Sequence, residues 1–305
     1  IRDSTSSPPL ASMQLKRSNS DWACYAVDFP STRATRYPEH RMVRGEYYQT
    51  LKANNSPLVI LLHGFGDQIL IPCKLLARSL VKQGYACFVL YSIFHSSRVP
   101  ETVKSRLRQL TPEEWYEGYQ ISVTDVRQVI DWANCRPEIN GEQVAALGIS
   151  FGGFITAIAM GVDERICSGI FIISGGNGEK IAKLSRKNTM RKTYNDIEYN
   201  NAQNSFRQYL AEVSEKGVEN VVPPKKSFLT DPLTFAHNLK GRPLLMINSF
   251  WDEYIPREAT LDFWEASGRP EIVWYPATHS TIWLWYPAIS RKIANFLKST
   301  FNNRR

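Results

Sequence analysis

The chain has 305 residues, 43% of them hydrophobic and 22% charged, which suits one large α/β domain with insertions and a sizeable core. Its formal charge of +8 comes from basic residues that are mostly scattered, with no basic-aromatic reader motif, so nucleic acid is not an expected partner. No apolar run approaches the roughly 18 residues that a membrane span needs, and none of the five cysteines forms a C-x-x-C pair, which argues against a zinc ribbon or a thioredoxin-like site.

Residues 1–20 are polar and rich in Ser and Pro, and read as a flexible lead-in to a domain over 21–305. The chain starts at Ile1 rather than Met, which fits a processed or trimmed N-terminus. The expected protein is soluble, either cytoplasmic or secreted after signal removal. "YAVDFPS" and "HRMVRGEYYQT" look like two antiparallel strands, and "PLVILLHG" is a continuous apolar run suited to a strand buried on both faces. "CKLLARSLVKQG" has helical spacing with a terminal glycine, and "YACFVLYS" is another buried strand. "TPEEWYEGYQISVTDVRQVIDWANC" is a long helical pattern, with Thr111 as N-cap and Pro112 in the first turn. A strand "GEQVAALGIS", a helix "GGFITAIAMG" and a strand "CSGIFIIS" follow. Residues 177–235 break the rhythm and are expected to be a cap or insert of helices. The alternation then resumes with strand "RPLLMINSF", helix "PREATLDFWEAS", strand "EIVWYPA" and a closing helix "AISRKIANFLKSTF".

Alternating strands and helices predict a mostly parallel sheet covered on both faces, with ligands at the carboxyl ends of its strands. "HGFGD", "GISFGG", "FWDEY" and "ATHST" all fall at such ends. A serine hydroxyl needs a base to take its proton and a third group to orient that base. In "GISFGG", the G-x-S-x-G spacing around Ser150 suits a sharp strand-to-helix turn that exposes a nucleophile; alone it is equally a tight loop. His279 follows the last strand and is the candidate base. His237 also follows the serine but lies in an irregular stretch. Asp252 is the candidate acid, with Glu253 as its rival. Preorganised N–H donors for an oxyanion come from Phe151 and from "HGFG", where Phe65 is the expected donor and Gly66 the alternative. "GFGDQI" faintly echoes a dinucleotide-binding loop but lacks the third glycine.

Taken in order, "HGFG", "GISFGG", "FWDEYIP" and "ATHST" resemble the α/β-hydrolase superfamily. Within it, the chain is most similar to dienelactone hydrolase-like and prolyl-oligopeptidase-like carboxylesterases, over about residues 40–303. The resemblance implies an α/β-hydrolase fold: an eight-stranded, mostly parallel sheet whose second strand is antiparallel, helices on both faces, a helical insert after strand 6, and no cofactor or metal. It implies Ser150 as nucleophile, Asp252 as acid, His279 as base, and Phe65 and Phe151 as oxyanion donors. Dienelactone hydrolases proper use a cysteine where this chain has Ser150, which points to a serine esterase. Haloalkane dehalogenases need an aspartate there.

The expected reaction is therefore hydrolysis of a small-molecule carboxylic ester through an acyl-enzyme. A serine peptidase or amidase of the same fold and a non-catalytic binding protein are the alternatives. His95 and Arg98 are candidate contacts for a polar group of the substrate, and Trp251 and Trp283 candidate walls of an apolar pocket. "KIAKLSRKNTMRK" carries six basic residues and no acid, and reads as a solvated helix face rather than a stable membrane anchor. Oligomeric state is not legible.

Overall fold

A computed structural model describes residues 10–302, apart from 34, 67–69 and 108. Among these residues the strands are β1 (Ser12–Ser18), β2 (Trp22–Pro30), β3 (Met42–Thr50), β4 (Ser56–Leu62), β5 (Ala86–Leu90), β6 (Ile139–Ile149), β7 (Ile166–Ile172), β8 (Leu244–Ser249) and β9 (Glu271–Tyr275). The helices are α1 (Ile71–Val81), α2 (Glu101–Lys104), α3 (Pro112–Ala133), α4 (Phe151–Val162), α5 (Gly178–Leu184), α6 (Asp196–Lys216), α7 (Pro232–Ala236), α8 (Arg257–Ala266) and α9 (Tyr286–Asn302).

The strands form one sheet in the order β1-β2-β3-β5-β4-β6-β7-β8-β9. β1, β2 and β3 pair antiparallel, β3 pairs antiparallel with β5, and every pairing from β5 through β4 to β9 is parallel. β4 and β5 are apolar almost throughout because successive side chains enter opposite layers. Leu58, Ile60 and Leu62 join the layer under α3 and α4, whereas Val59 and Leu61 join the layer under α1 and α9. α9 covers its face with Ile289, Ile293 and Leu297, spaced by four along one helical stripe. α3 begins with a reciprocal cap: Thr111 Oγ1 accepts from the Glu114 N–H at 3.2 Å, and Glu114 Oε2 accepts from the Thr111 N–H at 2.8 Å.

Two expectations need correction. The sheet has nine strands among the described residues, not eight, and Ser12–Ser18 is a strand rather than flexible lead-in. β1 is an edge strand whose backbone bonds come from β2, with Met13 opposite Val27. Its side chains are mostly solvent-exposed, so its sequence shows little apolar alternation. The part of the lead-in formed by residues 1–9 lies outside the described residues. The segment 177–235 follows β7 and holds α5, α6, the turns after it and all but the last residue of α7. No described helix is long and apolar enough to cross a membrane.

Candidate active site

Ser150 is the single residue between β6 and α4. Its φ of 53° and ψ of −117° lie where few non-glycine residues sit, at a cost of about 1–3 kcal/mol that the surrounding structure must offset. The flanking glycines make the turn possible. A Cβ on Gly148 would overlap the Gly152 carbonyl, and a Cβ on Gly152 would overlap the Leu62 carbonyl at the end of β4. The serine N–H is anchored by the Ile172 carbonyl of β7 at 2.8 Å.

Asp252 lies in the turn after β8. Its Oδ1 accepts the Tyr254 and Ile255 N–H groups at 2.8 and 2.9 Å, which leaves Oδ2 facing His279. His279 lies in the loop after β9. That loop is stitched to the Asp252 turn by the Trp251 N–H donating to the Ala277 carbonyl at 3.0 Å, and by Ser249 Oγ donating to the Thr278 carbonyl at 3.1 Å. His279 Nδ1 meets Asp252 Oδ2 at 2.7 Å, and His279 Nε2 meets Ser150 Oγ at 3.0 Å. A carboxylate only accepts, so Nδ1 carries the proton and Nε2 of the neutral ring is left to accept the serine hydroxyl. Both the imidazole and the carboxylate are largely buried. Residues 129 and 27 apart in sequence thus stand in one hydrogen-bonded line. His237 sits instead on a short helical turn after α7.

Glu253, the rival for the acid, does not reach the imidazole through a hydrogen bond. Its Oε2 accepts the main-chain N–H of His279 at 3.0 Å. Burial pushes its carboxyl upward, but the His279 N–H, its own backbone N–H and the Lys187 ammonium outweigh burial and hold it below its ordinary range.

Phe151 follows Ser150 directly, and the Phe65 ring packs edge-on against the Phe151 ring at 5.8 Å. Phe151 opens α4, so its N–H has no partner within the helix. Phe65 lies in the turn after β4, and Gly64 comes close enough that a Cβ there would touch Ser150 Cβ at 3.7 Å. His63 was not singled out from the sequence, yet it controls this turn. Its Nε2 accepts the Ser92 N–H at 3.1 Å and the Ser92 hydroxyl at 3.0 Å, so the ring proton sits on Nδ1, which donates to the Gly64 carbonyl at 2.8 Å. That carbonyl and the Phe65 N–H belong to one planar peptide and point in opposite directions, so fixing the first aims the second. Burial pushes the His63 imidazole down to about 4, although the bond to Gly64 opposes this. The signal available in the sequence was the histidine placed directly after a fully buried strand.

The pocket candidates fare differently. Arg98 is wholly buried, with Nη1 donating to Asp125 Oδ2 at 2.6 Å and to the Tyr91 carbonyl at 2.8 Å. It is an internal ion pair under the sheet rim, not a group open to substrate. His95 is buried too, stacked on Tyr91 at 4.8 Å and edge-on to His63 at 4.9 Å. Trp283 is half-buried against the α1 and α9 layer, and Trp251 is 56% exposed beside Asp252. The aromatic surface close to the serine comes from residues not singled out as pocket walls: Phe94 and Trp115 pack on the Phe65 and Phe151 rings at 5.2–6.4 Å.

A family model described as the alpha/beta hydrolase fold matches residues 57–285. No curated protein matches the chain by sequence. Among solved structures, the chain resembles an acetyl xylan esterase from Paenibacillus sp. R4 with a TM-score of 0.69 at 18% identity, covering 96% of this chain and 90% of that one. It resembles acetyl xylan esterase 1 from Thermoanaerobacterium sp. JW/SL YS485 with a TM-score of 0.67 at 15% identity, covering 94% and 88%. A cold-adapted esterase from an Arctic intertidal metagenomic library gives 0.58 at 15% identity, covering 92% and 96%. At such identities the likeness speaks for the fold. The sharp turn at Ser150, the parallel sheet that carries it and the family match over most of the chain agree, and the chain belongs to the alpha/beta hydrolase fold family.

Proposed function

We propose that the protein is a serine hydrolase that cleaves carboxylic esters of small molecules through an acyl-enzyme. The observation that carries the reading is the hydrogen-bonded line Ser150 Oγ, His279 Nε2, His279 Nδ1, Asp252 Oδ2, with steps of 3.0 and 2.7 Å. His279 takes the hydroxyl proton as Ser150 attacks the ester carbonyl. The Phe65 and Phe151 N–H groups receive the oxyanion, each worth about 3 kcal/mol in the transition state. The imidazolium then protonates the departing alcohol. Water, activated by the same imidazole, releases the carboxylic acid and restores the serine. Asp252 holds the ring in the productive tautomer and stabilises its charged form. The sequence closes without a cofactor. The structural neighbours described as esterases favour ester substrates over peptides.

The test is labelling by a fluorophosphonate together with hydrolysis of nitrophenyl esters of increasing acyl length. Ser150→Ala is expected to abolish labelling and to lower kcat by more than about 10³-fold. A folded wild-type protein that is neither labelled nor active on any ester of the series would refute the proposal.

A further inference from the structure

Glu253 follows the proposed acid directly, yet it performs a different task. Asp252 grips the His279 ring at Nδ1, whereas Glu253 grips the same residue's main chain: its Oε2 accepts the His279 N–H at 3.0 Å. Two consecutive carboxylates therefore hold one histidine at two points, which fixes both where its backbone lies and how its ring is turned. A proton relay needs its members placed within about 0.5 Å, and His279 sits on a loop after an edge strand. A backbone N–H held by a carboxylate is a charge-assisted bond, stronger than a neutral one.

Glu253 is held in turn by the segment after α5. Its carbonyl accepts the Arg186 N–H at 3.0 Å and the Ser185 hydroxyl at 3.1 Å, and its Oε1 faces Lys187 Nζ at 3.6 Å. The same ammonium lies 5.2 Å from the centre of the Tyr254 ring, and that ring lies 4.8 Å from the His279 ring. Three consecutive residues of the segment that breaks the α/β alternation thus converge on the acid turn.

We infer that Glu253 is a positioning residue for His279, and that Ser185, Arg186 and Lys187 brace it, so that this segment acts as a buttress of the active site. The inference rests on the serine-hydrolase reading for its kinetic consequences. The groups facing the imidazole are then Ser150, Asp252, Glu253 and Tyr254, with Lys187 behind the last two.

Glu253→Gln and Glu253→Ala separate the two things the carboxylate does. Gln keeps an oxygen for the His279 N–H but removes the charge; Ala removes both. With ester turnover normalised to fluorophosphonate-titrated sites, Glu253→Ala is expected to lower kcat about 10- to 100-fold with KM little changed. Glu253→Gln is expected to restore most of that loss. The downfield NMR signal of the His279 Nδ1–H, which reports its bond to Asp252, should shift in Glu253→Ala and return towards its wild-type position in Glu253→Gln. Lys187→Ala removes the ammonium that faces Glu253 Oε1 and should move the same signal in the direction of Glu253→Ala, by less.

A purely structural role would lower the melting temperature and leave kcat per labelled site and the Nδ1–H signal at wild-type values. That result in a folded Glu253→Ala protein would overturn the inference. The NMR measurement does not depend on turnover. A wild-type protein without esterase activity would therefore sink the functional reading, while the Nδ1–H signal still decides whether Glu253 positions His279.

Discussion

Asp252→Asn is the sharpest probe of the proposed chemistry, because the structure dictates how the amide must sit. Oδ1 of Asp252 accepts two backbone N–H groups, from Tyr254 and Ile255, and only an oxygen can do so. In the variant the amide oxygen takes that place and the NH₂ falls where Oδ2 was, facing His279 Nδ1. Two donors cannot face each other, so the ring proton must move to Nε2, which then points a hydrogen at Ser150 Oγ and cannot accept its proton. The charge of the carboxylate is lost as well. An imidazolium 2.7 Å from a carboxylate, the separation between Nδ1 and Oδ2, gains about 6 kcal/mol at an effective dielectric near 20. A 10⁴-fold fall in kcat corresponds to about 5.4 kcal/mol, and a tautomer-trapping amide is expected to produce a fall of that order. The assay is kcat on a nitrophenyl ester with active sites counted by fluorophosphonate, alongside thermal unfolding, which should change little because the turn keeps both backbone bonds. An Asp252→Asn enzyme within tenfold of wild type would refute the reasoning, since neither tautomer nor charge would then matter.

Two further outcomes concern stability. Asp125→Ala leaves the Arg98 guanidinium buried without its counter-ion and should cost about 3–5 kcal/mol in urea unfolding, most of it recovered by Arg98→Met with Asp125→Leu; a loss below about 1 kcal/mol would contradict the buried pair. His63 is held neutral, with its imidazole at about 4 against an ordinary 6.5, so the unfolded chain binds the proton first as pH falls. The resulting stability, about 3 kcal/mol, is complete above pH 6.5 and lost as pH falls towards 4. His40 is also pushed down, to about 4, and adds a dependence of the same sign, so the difference between wild type and His63→Gln across that range is the measurement, and parallel curves would refute the assignment.

Much of the fold was legible because its signals are local. An unbroken apolar run such as "PLVILL" serves a strand with a core layer on each side, and "GISFGG" carries its steric requirement in its glycines. β1 escaped notice because an edge strand obtains its stability from backbone bonds to β2, to which side-chain polarity is blind. Arg98 and His95 read as substrate contacts because both follow β5 at the ligand-bearing rim. Only packing shows that they turn inward, Arg98 to Asp125 and His95 to Tyr91 and His63.

The sequence by itself determined the alternation of elements, the tight turn at Ser150 and the short list of acids and bases at the strand ends. It could not divide the labour between Asp252 and Glu253, nor show that His63 orients the Gly64–Phe65 peptide. Those assignments depend on where side chains from separate loops meet, to a few tenths of an ångström. That distance is set by the packing of the whole sheet and its layers, and no nearby residue encodes it.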